Sequence, residues 1–161
     1  MAQATLTRQA PSTGEDSSAR EVLVAGALAG ALGGAVMLVA LIIDAVLHGS
    51  SPWARLQLLG APFPGSGVDV PAGVVVHLLV SAALGVPFAA FVPRDFPTGA
   101  AMVMGIGYAF AVLALMTSCV YPAANPVLDE HLPSMGGAWV IARALFGAVT
   151  GLAPWFRRRL R

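Results

Sequence analysis

The apolar positions of this chain form four long runs, and prolines, glycines or charged residues separate each run from the next. The runs cover residues 22–43, 70–92, 98–121 and 136–156. A membrane-spanning helix needs about 20 largely apolar residues to cross about 30 Å of hydrocarbon. Because the apolar side chains surround each segment instead of forming one stripe, they favour spanning helices over interfacial ones. We therefore predict an all-α, integral membrane bundle of four transmembrane helices within residues 21–156.

The composition agrees with this prediction and excludes an ordinary soluble domain. Of the 161 residues, 57 % are apolar and only 11 % are charged, whereas a soluble domain carries about 25 % charged residues. The net charge of +1 provides no strong field to attract nucleic acid. The one cysteine, Cys119, excludes an internal disulfide and a CxxC metal site. The expected surroundings are therefore the lipid bilayer, with no nucleic-acid partner.

The arginines predict the orientation of the bundle. Seven of them flank one side of the spans and only Arg55 flanks the other, while Arg143 lies within the fourth run. Positively charged residues concentrate on the cytoplasmic side of membrane proteins. Both termini are therefore expected in the cytoplasm of a bacterial inner-membrane protein, with loops 44–69 and 122–135 on the outer side. The seven arginines are Arg8, Arg20, Arg94, Arg157, Arg158, Arg159 and Arg161.

The two termini are predicted to be cytoplasmic tails. Residues 1–20 are polar and include Glu15 and Asp16, unlike the basic start of a signal peptide, and the apolar run that follows is too long for one. We interpret this segment as a disordered tail before an uncleaved helix. Residues 157–161 form a short basic tail that anchors the topology.

Each outer loop is predicted to contain a short surface helix, over 51–60 and 125–133. In both, a capping residue precedes a proline at the first helical position, and Gly60 or Pro133 ends the helix. The apolar side chains of the first helix share one face, which places it on the membrane surface. The capping pairs are Ser51–Pro52 and Asn125–Pro126, and the apolar face is Trp53, Leu56 and Leu59.

Small residues recur at four-residue spacing in all four runs. In lipid, such stripes let helix backbones approach closely, so they predict packing within the bundle. The first run carries the longest stripe, a tandem GxxxG, and an alternative is that this stripe joins two copies of the chain. The glycines concerned are Gly26, Gly30, Gly34, Gly85, Gly105, Gly147 and Gly151.

Four ionisable residues in or next to the spans form the candidate site: Asp44, His48, His77 and Arg143. Ionisable groups within a membrane are costly and call for an explanation. All four belong to the predicted outer side, and Arg143 lies about seven residues, or roughly 10 Å, into its helix. The cytoplasmic halves of the spans contain no ionisable residue, which argues against a channel or pump within one chain.

Two interpretations of these residues stay open. Arg143 either forms a buried ion pair with Asp44 while snorkelling outward, or binds an anion, a lipid headgroup or a quinone. His77 is either a neutral, hydrogen-bonded histidine or a metal or haem ligand. Asp44 and His48 on one helical face, with His77 nearby, would suit zinc. The spacing matches no known metal motif, so the sequence leaves any metal unidentified.

Three segments resemble the small four-helix inner-membrane proteins that bacterial genomes encode as domains of unknown function. They are GALAGALGGAVM in the first run, VVHLLVSAALGVPFAAF in the second and WVIARALFGAVTGL in the fourth. The resemblance spans residues 22–156 and implies no activity.

No GxSxG, Walker or Rossmann motif is present, so we predict neither an enzyme nor a cofactor. The leading hypothesis is a non-enzymatic accessory or structural component that self-associates or joins a larger membrane complex. The alternatives are a binding protein with an outer-leaflet metal, haem, quinone or solute site, and an oligomeric transporter.

Overall fold

The computed structural model describes residues 13–62 and 69–160, and every element within these ranges is helical. Four stretches in this part of the chain are long and apolar enough to cross a membrane: Ser18–Leu47, Val70–Phe91, Thr98–Ala124 and Gly136–Arg159. The predicted all-α architecture with four spanning helices is confirmed to this extent. In chain order the elements are α1 (Thr13–Leu47), α2 (Ala54–Gly60), α3 (Asp69–Phe91), α4 (Thr98–Leu115), a π-helical turn (Met116–Val120), α5 (Tyr121–Ala124), α6 (Pro126–Thr150) and α7 (Ala153–Arg159).

Two helices extend into the predicted tails. α1 begins at Thr13, so residues 13–20 are helical although the sequence favours a disordered tail there. Once an apolar segment has nucleated a helix, adding further turns costs little. Residues 1–12 of that tail, and residue 161 of the C-terminal tail, lie outside the described residues. α7 includes residues 157–159, so this part of the basic tail is also helical.

α6 consists of a segment that begins at Pro126 and the fourth spanning segment, which meet at Gly136. Asn125 caps α6 as predicted, because its Oδ1 accepts a hydrogen bond from the Leu128 backbone N–H at 3.0 Å. The expectation that Pro133 ends this helix is wrong, since the first segment continues through Pro133 to a break at Gly136, and a second segment then runs to Thr150. The chain instead bends at Gly136, where φ is 51°. A proline removes one backbone hydrogen bond without forcing an end, and glycine adopts this left-handed conformation without strain.

The four long helices do not all pack against one another. α1 packs against α3 on one side and α6 on the other, and α6 also packs against α4. The backbones of α3 and α4 hardly approach each other. Tyr108 of α4 bridges this separation, donating a hydrogen bond to the Leu84 carbonyl at 2.6 Å and contacting the Phe88 ring at 5.4 Å between centroids. The order α3, α1, α6, α4 therefore leaves one side of the bundle open.

Small residues allow the close helix contacts. A Cβ added to Gly26 would lie 2.7 Å from the Gly85 carbonyl oxygen, and one added to Gly85 would lie 2.8 Å from the Gly30 backbone. The longest glycine stripe thus faces α3 of the same chain, which leaves little of it for joining two copies. Helices α4 and α6 meet in the same way. All seven glycines of the predicted stripes lie at such contacts: Gly26, Gly30, Gly34, Gly85, Gly105, Gly147 and Gly151.

The two ends of the bundle are fastened differently. At the end where α3 finishes, the Arg157 guanidinium donates to the Ala89 and Val92 carbonyls at 3.2 and 3.1 Å, which satisfies acceptors that a helix end leaves unpaired. We call this the Arg157 end. The opposite end, where α1 finishes and α2 folds over the bundle, we call the Asp44 end.

Candidate ligand-binding site

The four residues of the predicted polar cluster fall into two separate groups. The His77 ring lies beside Gly34 of α1, because a Cβ added to Gly34 would be 3.6 Å from its Nε2 atom. Gly34 and Asp44 are ten residues apart on the same helix, or about 15 Å at 1.5 Å per residue. Asp44 and His48 therefore form one group at the Asp44 end. His77 and Arg143 form the other and line a common cavity.

Asp44 is paired with Arg55, not with Arg143. Its Oδ2 accepts hydrogen bonds from Arg55 Nη2 at 3.1 Å and Nε at 3.3 Å, while Oδ1 lies 3.0 Å from His48 Nδ1. The expected ion pair with Arg143 is wrong because α2 folds back and brings Arg55 to the carboxylate. The side chains of Asp44 and Arg55 are only 8 % and 18 % exposed. This pair therefore fastens α2 to the end of α1.

Helix α2 covers the Asp44 end of the cavity. Leu56 is fully buried, so this part of the apolar face of α2 packs against the bundle, and the position of α2 on a membrane surface stays a prediction. Gly73 permits this packing, since a Cβ there would lie 2.7 Å from the Leu56 carbonyl oxygen. The Asn125 side-chain amide also holds α2 by donating to the Leu58 carbonyl at 2.9 Å. Leu59 of α2 lines the cavity directly.

The cavity has a volume of about 340 Å³ and lies between α2, α3, the π-helical turn, α5 and α6. Ligand pockets range over roughly 300–1,000 Å³, so this one lies at the small end. The described residues that line it are mainly aliphatic and include no aspartate or glutamate. The polar or charged residues that line it are His77, Ser81, Tyr121, Asn125 and Arg143.

Among the described residues that line the cavity, Arg143 is the only charged one, and it is 5 % exposed. One Nη2 proton is donated to the Tyr121 hydroxyl at 2.7 Å, and the guanidinium lies 5.3 Å from the centre of the Trp139 ring. Its Nε has no hydrogen-bond partner in the described part of the chain. Within residues 13–62 and 69–160, the ion pairs join Asp44 to Arg55 and to His48, and Arg143 takes part in neither. Its buried charge is therefore solvated by a neutral hydroxyl and an aromatic ring.

The π-helical turn positions Tyr121. The Tyr121 backbone N–H bonds to the Met116 carbonyl, five residues earlier. Pro122 follows, and a proline ring collides with the carbonyl four residues before it, so a wider turn relieves that collision. A π-helical turn inserts one residue into the helix, which shifts Tyr121 relative to a continuous α-helix. Thr117 stabilises the turn by donating to the Leu113 carbonyl at 3.0 Å.

His77 is the second polar group with spare hydrogen-bonding capacity. Its Nε2 is buried and makes no well-formed hydrogen bond with the described residues, although it faces the Gly34 backbone. The ring and Arg143 line the same cavity. Asn125 is already used at both ends of its amide. Arg143 Nε, the Tyr121 hydroxyl proton and a His77 ring nitrogen are thus the groups that remain for a ligand.

Asp44, His48 and His77, which the sequence suggested as metal ligands, do not form a metal site. In the described ranges, no three histidine, cysteine, aspartate or glutamate side chains are grouped closely enough to hold a metal ion. Asp44 and His48 meet, but His77 lies in the other group. The zinc arrangement considered from the sequence is therefore absent from this part of the chain. The same separation keeps His48 and His77 from serving as two axial ligands of one haem.

Three residues of these two groups were not predicted from the sequence as members of the site. Trp139 precedes Arg143 by four residues, and this spacing places two side chains on one helix face, so it carried a usable signal. Arg55 was considered only for orientation, although it is the single arginine on its side of the spans. Tyr121 carried no such signal, because its position depends on the π-helical turn.

Comparison with protein-family models, with curated proteins and with solved structures found no match to this chain.

Proposed function

We propose that this chain is a multi-pass inner-membrane protein that binds a largely apolar small molecule with an anionic group in the Arg143 cavity. It acts by binding and not by catalysis. Both termini lie in the cytoplasm in this proposal, because arginines concentrate at the Arg157 end and Arg55 stands alone at the other. The cavity then belongs to the outer leaflet.

The observation that carries the proposal is the uncompensated charge of Arg143. Burying an ion costs several kcal/mol unless a partner of opposite charge repays it, and Arg143 has no carboxylate among the described residues. An aliphatic side chain of similar length would fill the same space without this cost. A guanidinium at this place is explained if a ligand supplies the missing negative charge.

The donor set favours a carboxylate or similar anion over a neutral carbonyl. A guanidinium forms its strongest hydrogen bonds with planar anionic oxygens, and Arg143 Nε is free to form one. The Tyr121 hydroxyl accepts from Arg143 and keeps its own proton for a second oxygen of the ligand. A quinone would offer acceptors but would leave the charge unpaired.

Thermal unfolding in a neutral detergent tests the proposal, with octanoate as the probe and octanol as its neutral counterpart. A ligand at one hundred times its Kd stabilises the folded protein by about 2.7 kcal/mol. We expect octanoate to raise the Tm of the wild-type protein and octanol to leave it nearly unchanged. Arg143→Met should abolish the octanoate effect, whereas Arg94→Met, at the Arg157 end, should retain it. Equal effects of octanoate and octanol, or a full response in Arg143→Met, would contradict the proposal.

The accessory or structural role, self-association and the oligomeric transporter remain predictions. The glycine stripe that would have joined two copies is covered by α3 within the chain. The binding hypothesis is preferred because a specific group, Arg143, supports it.

A further inference from the structure

We propose that the ligand is a long-chain fatty acid that enters the cavity sideways from the bilayer, between α3 and α4. Its carboxylate reaches Arg143 and Tyr121, and its chain leaves through the open side of the bundle. This inference rests on the proposed function and adds the class of ligand and its route.

The first support is the position of the opening. Among the cavity residues, Val80 of α3 is 43 % exposed and Val120 of the π-helical turn is 37 % exposed. Both are apolar, and both lie within stretches apolar enough to span a membrane. Val80 belongs to α3 and Val120 to the turn that follows α4, two helices whose backbones hardly approach each other. The mouth of the cavity is thus bordered by side chains that suit lipid and not water.

The second support is that described residues cover other sides of the cavity. α2 covers the Asp44 end through Leu59, and α6 contributes Leu128 and Arg143 to the inner wall. Toward the Arg157 end, the cavity stops at Leu84, whose carbonyl accepts the Tyr108 hydrogen bond. An apolar chain with its head at Arg143 therefore has its free path between Val80 and Val120.

The third support is the match of size and charge. A cavity of about 340 Å³ lies at the lower limit for small-molecule pockets, so it holds a head and the first part of a chain. The remainder of a long chain would lie in the hydrocarbon of the membrane, where it loses no apolar contact. One guanidinium compensates one negative charge, which a carboxylate supplies in a planar form that the guanidinium can bind with two parallel hydrogen bonds.

Trp139 provides a built-in reporter, because its ring lies 5.3 Å from the Arg143 guanidinium. In a Trp53→Phe, Trp155→Phe background it is the only tryptophan. The purified full-length protein is titrated with stearate brominated near the carboxylate, and separately with stearate brominated near the methyl end. Bromine quenches tryptophan fluorescence only at short range. We expect strong quenching by the first probe and weak quenching by the second.

Blocking variants test the route. Val80→Phe with Val120→Phe narrows the opening and should raise the apparent Kd for stearate by about tenfold or more, or about 1.4 kcal/mol, while octanoate binding stays nearly unchanged. The matched control is Leu79→Phe with Leu115→Phe, on exposed neighbouring positions that do not line the cavity. This control should bind both probes like the wild type.

Each other outcome has a defined meaning. If octanoate binds but stearate does not, or if the blocking variant binds stearate normally, the sideways route is wrong and the proposed function stands. Phosphatidylglycerol and unbrominated stearate are compared as competitors of brominated stearate. If phosphatidylglycerol displaces the probe at the lower mole fraction, the fatty-acid assignment is wrong. If neither octanoate nor stearate responds to Arg143→Met, the proposed function itself fails.

Discussion

Replacing Arg143 by methionine should leave the ligand-free protein as stable as the wild type, or more stable. Methionine keeps an unbranched apolar side chain, two heavy atoms shorter in reach than arginine, and it removes the buried charge of a residue that is only 5 % exposed. Most substitutions of buried residues destabilise a protein. An increased Tm would therefore show that Arg143 is kept at a cost to stability, and an unchanged Tm that it contributes no net stability.

The expected change in the free energy of unfolding follows from the contacts of the Arg143 guanidinium. Arg143→Met removes one charge-assisted hydrogen bond to Tyr121, worth about 1.5–3 kcal/mol, and one cation–π contact with Trp139, worth about 2 kcal/mol when desolvated. It also removes the desolvation penalty of the ion, which amounts to several kcal/mol. The terms nearly cancel, so we expect a change between about zero and 2 kcal/mol in favour of the variant.

Thermal unfolding of ligand-free protein in neutral detergent, followed by near-UV circular dichroism, measures this change. Arg55→Met is the matched control, because it leaves the buried Asp44 carboxylate without its guanidinium partner. That control should lose about 1–3 kcal/mol, less than a fully buried pair, since Arg55 is partly exposed and His48 remains. If Arg143→Met is destabilised as much as Arg55→Met, Arg143 is a structural residue and the reasoning is refuted.

Two further predictions concern how the bundle is held together. In double-mutant cycles of unfolding free energy, Asp44→Asn and Arg55→Met should couple by about 1 kcal/mol or more, whereas Asp44→Asn and Arg143→Met should be additive within about 0.5 kcal/mol; the reverse result would restore the ion pair expected from the sequence. Gly85→Ala should destabilise by about 1–3 kcal/mol, because its Cβ would overlap the α1 backbone. Gly107 has open space around it, so Gly107→Ala should raise the free energy of unfolding by up to about 1 kcal/mol through its higher helix propensity. Equal effects of the two substitutions would contradict the packing described here.

The number and approximate limits of the long helices were predictable because a membrane imposes a length and an apolar character on every span. The glycine positions were predictable for a related reason, since close helix approach requires the absence of a Cβ. The cap at Asn125 was predictable from a purely local pattern. These features depend on residues near one another in sequence or on the surroundings of the whole chain.

The site was less predictable because it depends on where separate elements meet. The partner of Asp44 is Arg55 only because α2 folds back over the bundle. Tyr121 reaches Arg143 only after a π-helical turn has inserted one residue. The sequence assigned His77 and Arg143 to the same predicted side of the spans, and the structure brings both to one cavity. Asp44 and His48 were grouped with them because they belong to the same predicted outer side, although about 15 Å of α1 separates Asp44 from the level of His77.

The most direct test of the central claim is native mass spectrometry of protein taken from its own membrane without added ligand. The account predicts that wild-type protein carries a bound long-chain carboxylate and that Arg143→Met does not, while Arg94→Met carries it like the wild type. Bound carboxylate in equal amounts on wild-type and Arg143→Met protein, or no bound anion on either, would contradict it.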